Sequence, residues 1–77
     1  MKSILKSILV HCLRANGLAL NKKDLQRKVF DDMPDSYCSI KFEAQLDFLK
    51  HQGILDIGTA QNFNPFIIWV ELNKDLL

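Results

Sequence analysis

Two histidines and two cysteines are the residues of this chain best suited to bind zinc or to act as nucleophiles. They are His11, Cys12, Cys38 and His51. His11 and Cys12 are adjacent, so in a helix their side chains point about 100° apart and cannot chelate one ion. A cysteine nucleophile would also need a residue that orients its base and an oxyanion-binding segment, and neither is recognisable. We therefore expect no metal site, no cofactor and no enzymatic activity.

The spacing of the cysteines and the pattern of the first residues bear on the cellular compartment. Cys12 and Cys38 lie far apart with no CxxC motif, which favours two reduced thiols. The amino-terminal segment is basic and apolar like a signal peptide, but Lys6, His11 and Arg14 interrupt every apolar run. No stretch reaches the length that spans a membrane. We expect a cytoplasmic protein with no membrane partner.

The basic side chains are concentrated in the first part of the chain. Residues 1 to 30 contain seven Lys and Arg and one Asp, whereas residues 31 to 77 contain three Lys and eight Asp and Glu. Such a separation concerns partners rather than fold, and it suggests a weak homodimer in which the basic part of one molecule meets the acidic part of another.

The densest group of cations consists of four side chains that fall in one predicted helix. They are Lys22, Lys23, Arg27 and Lys28. Lys23 and Arg27 are four residues apart, so they point in the same direction from a helix. This cluster is typical of a phosphate contact and equally of a solvated helix face.

The elements that position these residues fit one small domain. A chain of 77 residues, 48% hydrophobic and 25% charged, forms only a small hydrophobic core, and a buried catalytic cleft would take up much of it. Residues 3 to 15 are predicted to form a first helix that ends at Asn16 and Gly17, with Val10 alone on its polar arc. Its apolar arc consists of Ile4, Leu5, Ile8, Leu9, Cys12, Leu13 and Ala15. A binding module is the default expectation.

A second helix is predicted to begin after Asn21, which has the side chain of an N-terminal cap. Leu20 and Leu25 have the spacing of a hydrophobic staple around that cap. Pro34 disfavours helical geometry in the residue before it, so the helix ends at Met33. We expect it to bury Leu25, Val29, Phe30 and Met33.

A third helix is predicted from Ser36 or Ser39 to about His51, with Gly53 as its carboxyl-terminal cap. Its core stripe is Phe42, Leu46 and Leu49. Residues 54 to 57 and 66 to 72 then read as two strands of a hairpin joined by a polar connection, with Trp69 in the core. Residues 18 to 20 would add a short third strand.

Helix, short strand, helix, helix and hairpin is the order of elements in the winged-helix family of helix-turn-helix domains, which this chain resembles. In that family the third helix and the residues that follow it have a fixed pattern. An apolar residue, two leucines, a glycine and a pair of apolar residues occur at fixed spacing. The matching residues are Phe42, Leu46, Leu49, Gly53, Ile54 and Leu55. The resemblance implies an α+β fold for residues 1 to 77: a small winged helix of three helices followed by a two-stranded antiparallel wing.

The resemblance also implies a function. DNA-binding members insert the exposed face of the third helix into the major groove, so this chain would be a small non-enzymatic DNA-binding protein that regulates transcription or replication. Gln45 would bond an adenine edge, and Ser39 and Lys41 would contact phosphates. The full set of nucleic-acid contacts implied for double-stranded DNA is Lys22, Lys23, Arg27, Lys28, Ser39, Lys41 and Gln45.

Two departures from the DNA-binding pattern leave an alternative open. Glu43 and Asp47 lie on or beside the same helix face, and residues 58 to 64 contain no Lys or Arg. Because phosphate neutralisation supplies most nonspecific affinity for DNA, such a surface also fits a protein-interaction module, an adaptor or inhibitor that docks on a protein partner. The residues of that alternative surface are Glu43, Asp47, Phe48, Phe63 and Phe66.

Overall fold

The structure is a computed structural model that describes residues 3–59, 67–73 and 75. Three helices and three strands follow one another in the order helix, strand, helix, helix, strand, strand. The helices are α1 (Ile4–Arg14), α2 (Lys22–Asp32) and α3 (Ser39–His51), and the strands are β1 (Ala19–Asn21), β2 (Leu55–Thr59) and β3 (Ile68–Leu72). A short 3-10 turn, Asn16–Leu18, joins α1 to β1.

The strands form one antiparallel sheet in the order β1-β3-β2. Trp69 of β3 lies opposite Asn21 of β1 and Gly58 of β2. The fold is therefore α+β, with the layout of a small winged-helix domain, and the predicted third strand after α1 is present. The predicted polar connection of the wing lies largely outside the described residues.

Side-chain caps determine where the first two helices begin. The Ser3 hydroxyl accepts the Lys6 N–H at 3.1 Å, and the Asn21 side-chain oxygen accepts the Lys23 N–H at 2.8 Å, as predicted for Asn21. After α3 the chain turns at Gly53, whose φ of 73° suits a residue without a Cβ. This turn directs the chain straight into β2.

The core lies between the helices and the inner face of the sheet. The predicted stripe of α3, Phe42, Leu46 and Leu49, is fully buried. It shares one cluster with residues of the other elements: Ile8 and Cys12 of α1, Leu25 and Val29 of α2, Leu55 of β2, and Val70 and Leu72 of β3. Among the described residues, no helix has the length and apolar character needed to cross a membrane.

Three apolar side chains predicted to be buried are in fact exposed. Trp69 is 41% exposed, because Val70 and Leu72 face the core and strand alternation turns Trp69 outward. Phe30 is 46% exposed, since it lies about 140° round α2 from Leu25. Leu13, 52% exposed, is at the edge of the apolar arc of α1.

A polar contact that the sequence did not predict joins α1 to the end of α2. The Ser7 hydroxyl donates to Asp32 Oδ2 at 2.7 Å, and His11 Nε2 lies 2.8 Å from the same oxygen. Ser7 is buried and His11 is half-buried, so the carboxylate satisfies polar atoms that have little access to water.

Candidate functional site

The outward face of α3 is the surface that the resemblance to winged-helix domains predicts as the contact with a partner. The three core residues of α3 lie on one side of the helix, so residues about 180° away point into solvent. Ile40 is 78% exposed and Phe48 is 49% exposed. Ala44, one turn from each of them, is also exposed. These three residues form an apolar stripe, which we call the α3 stripe, and it is bordered by Asp47.

The charges of α3 do not favour a polyanion. Within this helix, all of whose residues the structure describes, two lysines, Lys41 and Lys50, are matched by two acids, Glu43 and Asp47. The Lys, Asp and Glu side chains of the helix therefore sum to zero charge. A recognition helix in a major groove would lie between two rows of phosphates, where Lys and Arg side chains strengthen binding and carboxylates weaken it.

One predicted DNA contact is paired with a residue of the alternative surface. The Lys22 ammonium at the start of α2 lies 2.7 Å from one carboxylate oxygen of Glu43 and 2.9 Å from the other. The Lys22 side chain is only 22% exposed. The ion pair holds the two helices together at this point and occupies the cation that would otherwise meet a phosphate.

Lys41 and Gln45 lie on the opposite flank of α3 from Glu43. They line a groove of about 240 Å³ with residues from the start of α1 and from the turn before α3. Lys22 and Lys23 line a separate hollow of about 180 Å³ with Glu43 and Ile68. Ser39 is exposed in the first turn of α3. The predicted contacts are thus distributed over both flanks of the helix.

The cations of α2 also diverge. Lys23 and Arg27 are exposed on one side of the helix, and Arg27 lies 3.5 Å from Asp24 in an exposed pair. Lys28 points instead to a cleft beside Trp69. The structure therefore brings Lys23 together with Arg27 and separates both from Lys28 and Lys41. Phe63 and Phe66 of the alternative surface lie outside the described residues.

Aromatic packing fixes the turn that precedes α3. The Gln26 amide donates to the Tyr37 hydroxyl at 2.6 Å. The rings of Phe30 and Tyr37 meet edge to face at 5.5 Å between centroids, and Tyr37 also packs on Phe42 at 6.1 Å. Exposed Phe30 is thereby held close to the start of α3, next to the element that carries the α3 stripe.

Ile40, the most exposed large apolar side chain described, is not among the residues predicted from the sequence to form a site. The signal was present, because Ile40 precedes Phe42 by two residues and so points about 200° away from it. The interhelical contact of Ser7 and His11 with Asp32 had a weaker signal, the i, i+4 spacing of two polar residues on α1. Nothing local in the sequence indicates Asp32 as their acceptor.

The two thiols are free and differ in environment. Burial in the core raises the pKa of Cys12 to about 11. The backbone N–H groups of Lys41 and Ile40 at the start of α3 lower the pKa of Cys38. In the part of the chain that the structure describes, no three His, Cys, Asp or Glu side chains converge as a metal site.

Comparisons with protein-family models, with curated proteins and with solved structures found no match to this chain. Its function therefore has to be inferred from its own surface.

Proposed function

We propose that this chain is a non-enzymatic binding module that docks on a protein partner through the α3 stripe. The observation that carries the proposal is the exposure of Ile40 and Phe48 on a helix with no net charge. Large apolar side chains at the centre of an interface supply most of its affinity when they enter desolvated pockets. Duplex DNA offers such side chains little beyond thymine methyl groups.

Charge complementarity defines the partner's surface. The α3 stripe is bordered by Asp47 on one side, and Glu43 beyond it is already paired with Lys22. A partner with an apolar groove for Ile40 and Phe48 and a Lys or Arg at its rim opposite Asp47 would match this arrangement. Phe30 is a further exposed apolar side chain near the start of α3, where its ring packs against Tyr37.

Site-specific photo-crosslinking in the native cell tests this proposal. A photoreactive phenylalanine derivative replaces Ile40 in one variant and exposed Lys6 of α1 in the control. The proposal expects an adduct with one protein from position 40 that position 6 does not give. The purified partner should then bind the unmodified chain at least about tenfold more tightly than Ile40→Ser, since one buried anchor is worth about 2 kcal/mol.

Two outcomes of this experiment would overturn the proposal. One is an adduct with nucleic acid from position 40, which would place the α3 stripe in a groove of DNA. The other is an equal set of protein adducts from positions 40 and 6, which would show that the stripe has no specific partner.

A second function, contact with double-stranded DNA, is favoured by the exposed pair of Lys23 and Arg27 on α2. Replacing both by Ala would weaken binding to all duplex sequences alike and would lower the salt slope by roughly two units, one for each lost phosphate contact. Gln45→Ala is the matched control, because a residue that bonds a base edge changes sequence preference and leaves the salt slope unchanged. If the double variant has the same salt slope as the parent, contact with double-stranded DNA through Lys23 and Arg27 is excluded.

A further inference from the structure

A cleft of about 620 Å³ lies on another side of the molecule, between the end of α1, β1 and α2. Its lining includes His11 and Arg14 from α1, Asp24 and Lys28 from α2, and Trp69 from β3. This volume is within the range of sites that hold a small molecule of nucleotide size. We call it the Trp69 cleft.

The indole of Trp69 forms an open aromatic surface in this cleft. Trp69 is on the outer face of the sheet, and its neighbours across the two adjacent strands are Asn21 and Gly58. Gly58 has no side chain, and among the described residues a Cβ placed there would meet no heavy atom within 4 Å. Within the described part of the chain, Gly58 therefore places no side chain over the ring of Trp69, which is 41% exposed.

Cations from two helices border the same aromatic surface. Arg14 and Lys28 are both exposed and belong to different elements, so they can approach one anion from two directions. His11 is tied to Asp32 at 2.8 Å and forms part of the wall. Asp24 is the acid in the described lining, and its carboxylate lies 3.5 Å from Arg27 outside the cleft.

We propose that the Trp69 cleft binds a nucleotide unit, either free or within a single strand of nucleic acid. The base stacks on the indole of Trp69, as bases do on exposed aromatic side chains of single-strand binding proteins. The phosphate is bound by the guanidinium of Arg14 and the ammonium of Lys28. A ligand that has only an aromatic group would contact only Trp69. A ligand that is only an anion would contact only Arg14 and Lys28.

The single tryptophan of the chain makes the proposal directly measurable, because its fluorescence reports only on this cleft. The probes are adenosine monophosphate, adenosine, inorganic phosphate and a short oligodeoxyadenylate. Saturable quenching is expected with adenosine monophosphate, and adenosine should bind about tenfold more weakly because it lacks the charged contact. Inorganic phosphate should compete without quenching. Tighter binding of the oligonucleotide than of the mononucleotide would identify a single strand as the source of the nucleotide.

Variants of exposed residues test the geometry without threatening the fold. Arg14→Ala and Lys28→Ala should each weaken binding by about tenfold, and Lys6→Ala on α1 is the matched control outside the cleft. Asp24→Asn should tighten binding several-fold, because it removes the acid from the lining. The proposal is overturned if neither nucleotide probe quenches saturably at millimolar concentration. It is also overturned if Arg14→Ala and Lys28→Ala change the affinity no more than Lys6→Ala.

Discussion

The α3 stripe and the Trp69 cleft both expose large apolar side chains, but their charges differ. The stripe places Ile40 and Phe48 on a helix whose lysines and acids cancel. The cleft is lined by Trp69 together with Arg14 and Lys28. The comparison teaches that the basic side chains of the first part of the chain are not concentrated at α3, the helix that a winged-helix layout would place against DNA. The basic side chains lie in part on the exposed side of α2 with Lys23 and Arg27, and in part in the lining of the Trp69 cleft.

Leu46→Ala should have the largest effect, because both surfaces depend on one core. Leu46 is only 2% exposed, and its truncation should cost about 2 to 5 kcal/mol of the free energy of unfolding. Urea unfolding followed by far-UV circular dichroism and by Trp69 fluorescence measures this loss at the helices and at the cleft separately.

Asp47→Ala on the solvent side of the same helix is the control, with a change within about 0.5 kcal/mol. Coincident transitions for the two probes are expected in the parent and in Leu46→Ala. A variant in which the fluorescence transition stays in place while the helical signal shifts would show that the cleft does not share the core of α3.

Asp32→Ala should have an intermediate effect on stability, because it removes a contact that holds the wall of the Trp69 cleft. It leaves the Ser7 hydroxyl and the His11 ring without their acceptor, which should cost about 1 to 3 kcal/mol. Asp31→Ala, at the neighbouring exposed acid, is the matched control and should change little. Equal thermal unfolding midpoints for these two variants would mean that the interhelical contact contributes no stability.

Removing the ion pair between Lys22 and Glu43 should have the smallest effect on the free energy of unfolding. A double-mutant cycle with Lys22→Ala and Glu43→Ala should give a coupling of about 0.2 to 1 kcal/mol in the free energy of unfolding, typical of a partly exposed ion pair. No measurable coupling would mean that Lys22 is available to phosphates, and the contrast between the two surfaces would then weaken.

Much of the fold could be predicted from residues with strong local preferences. Asn21 as a cap, Gly53 at the end of α3 and the apolar spacing of Phe42, Leu46 and Leu49 are each encoded within a few positions. The layout was predictable because few arrangements of these elements bury the apolar faces of all three helices. Such signals do not depend on distant parts of the chain.

The predictions that were wrong or missing concern features that depend on tertiary packing. The residue type of Trp69 predicts a place in the core, but the side of β3 that faces the helices is decided by Val70 and Leu72 together with the pairing of three strands. The pairing of Lys22 with Glu43 likewise requires the packing of α2 against the start of α3. The sequence therefore identified several charged candidate residues, but it did not point to Ile40 or to Arg14, and it could not say which candidates would share a surface.

The affinity of Ile40→Glu for random duplex DNA at low salt tests most directly whether the α3 stripe docks on protein rather than DNA. Val10→Glu adds the same charge to an exposed apolar residue of α1 and is the control. We predict that the two variants bind duplex DNA equally, with an affinity within about twofold of the parent or too weak to detect. If the parent binds and Ile40→Glu alone loses about tenfold or more, a carboxylate has been placed among phosphates, and α3 enters a DNA groove.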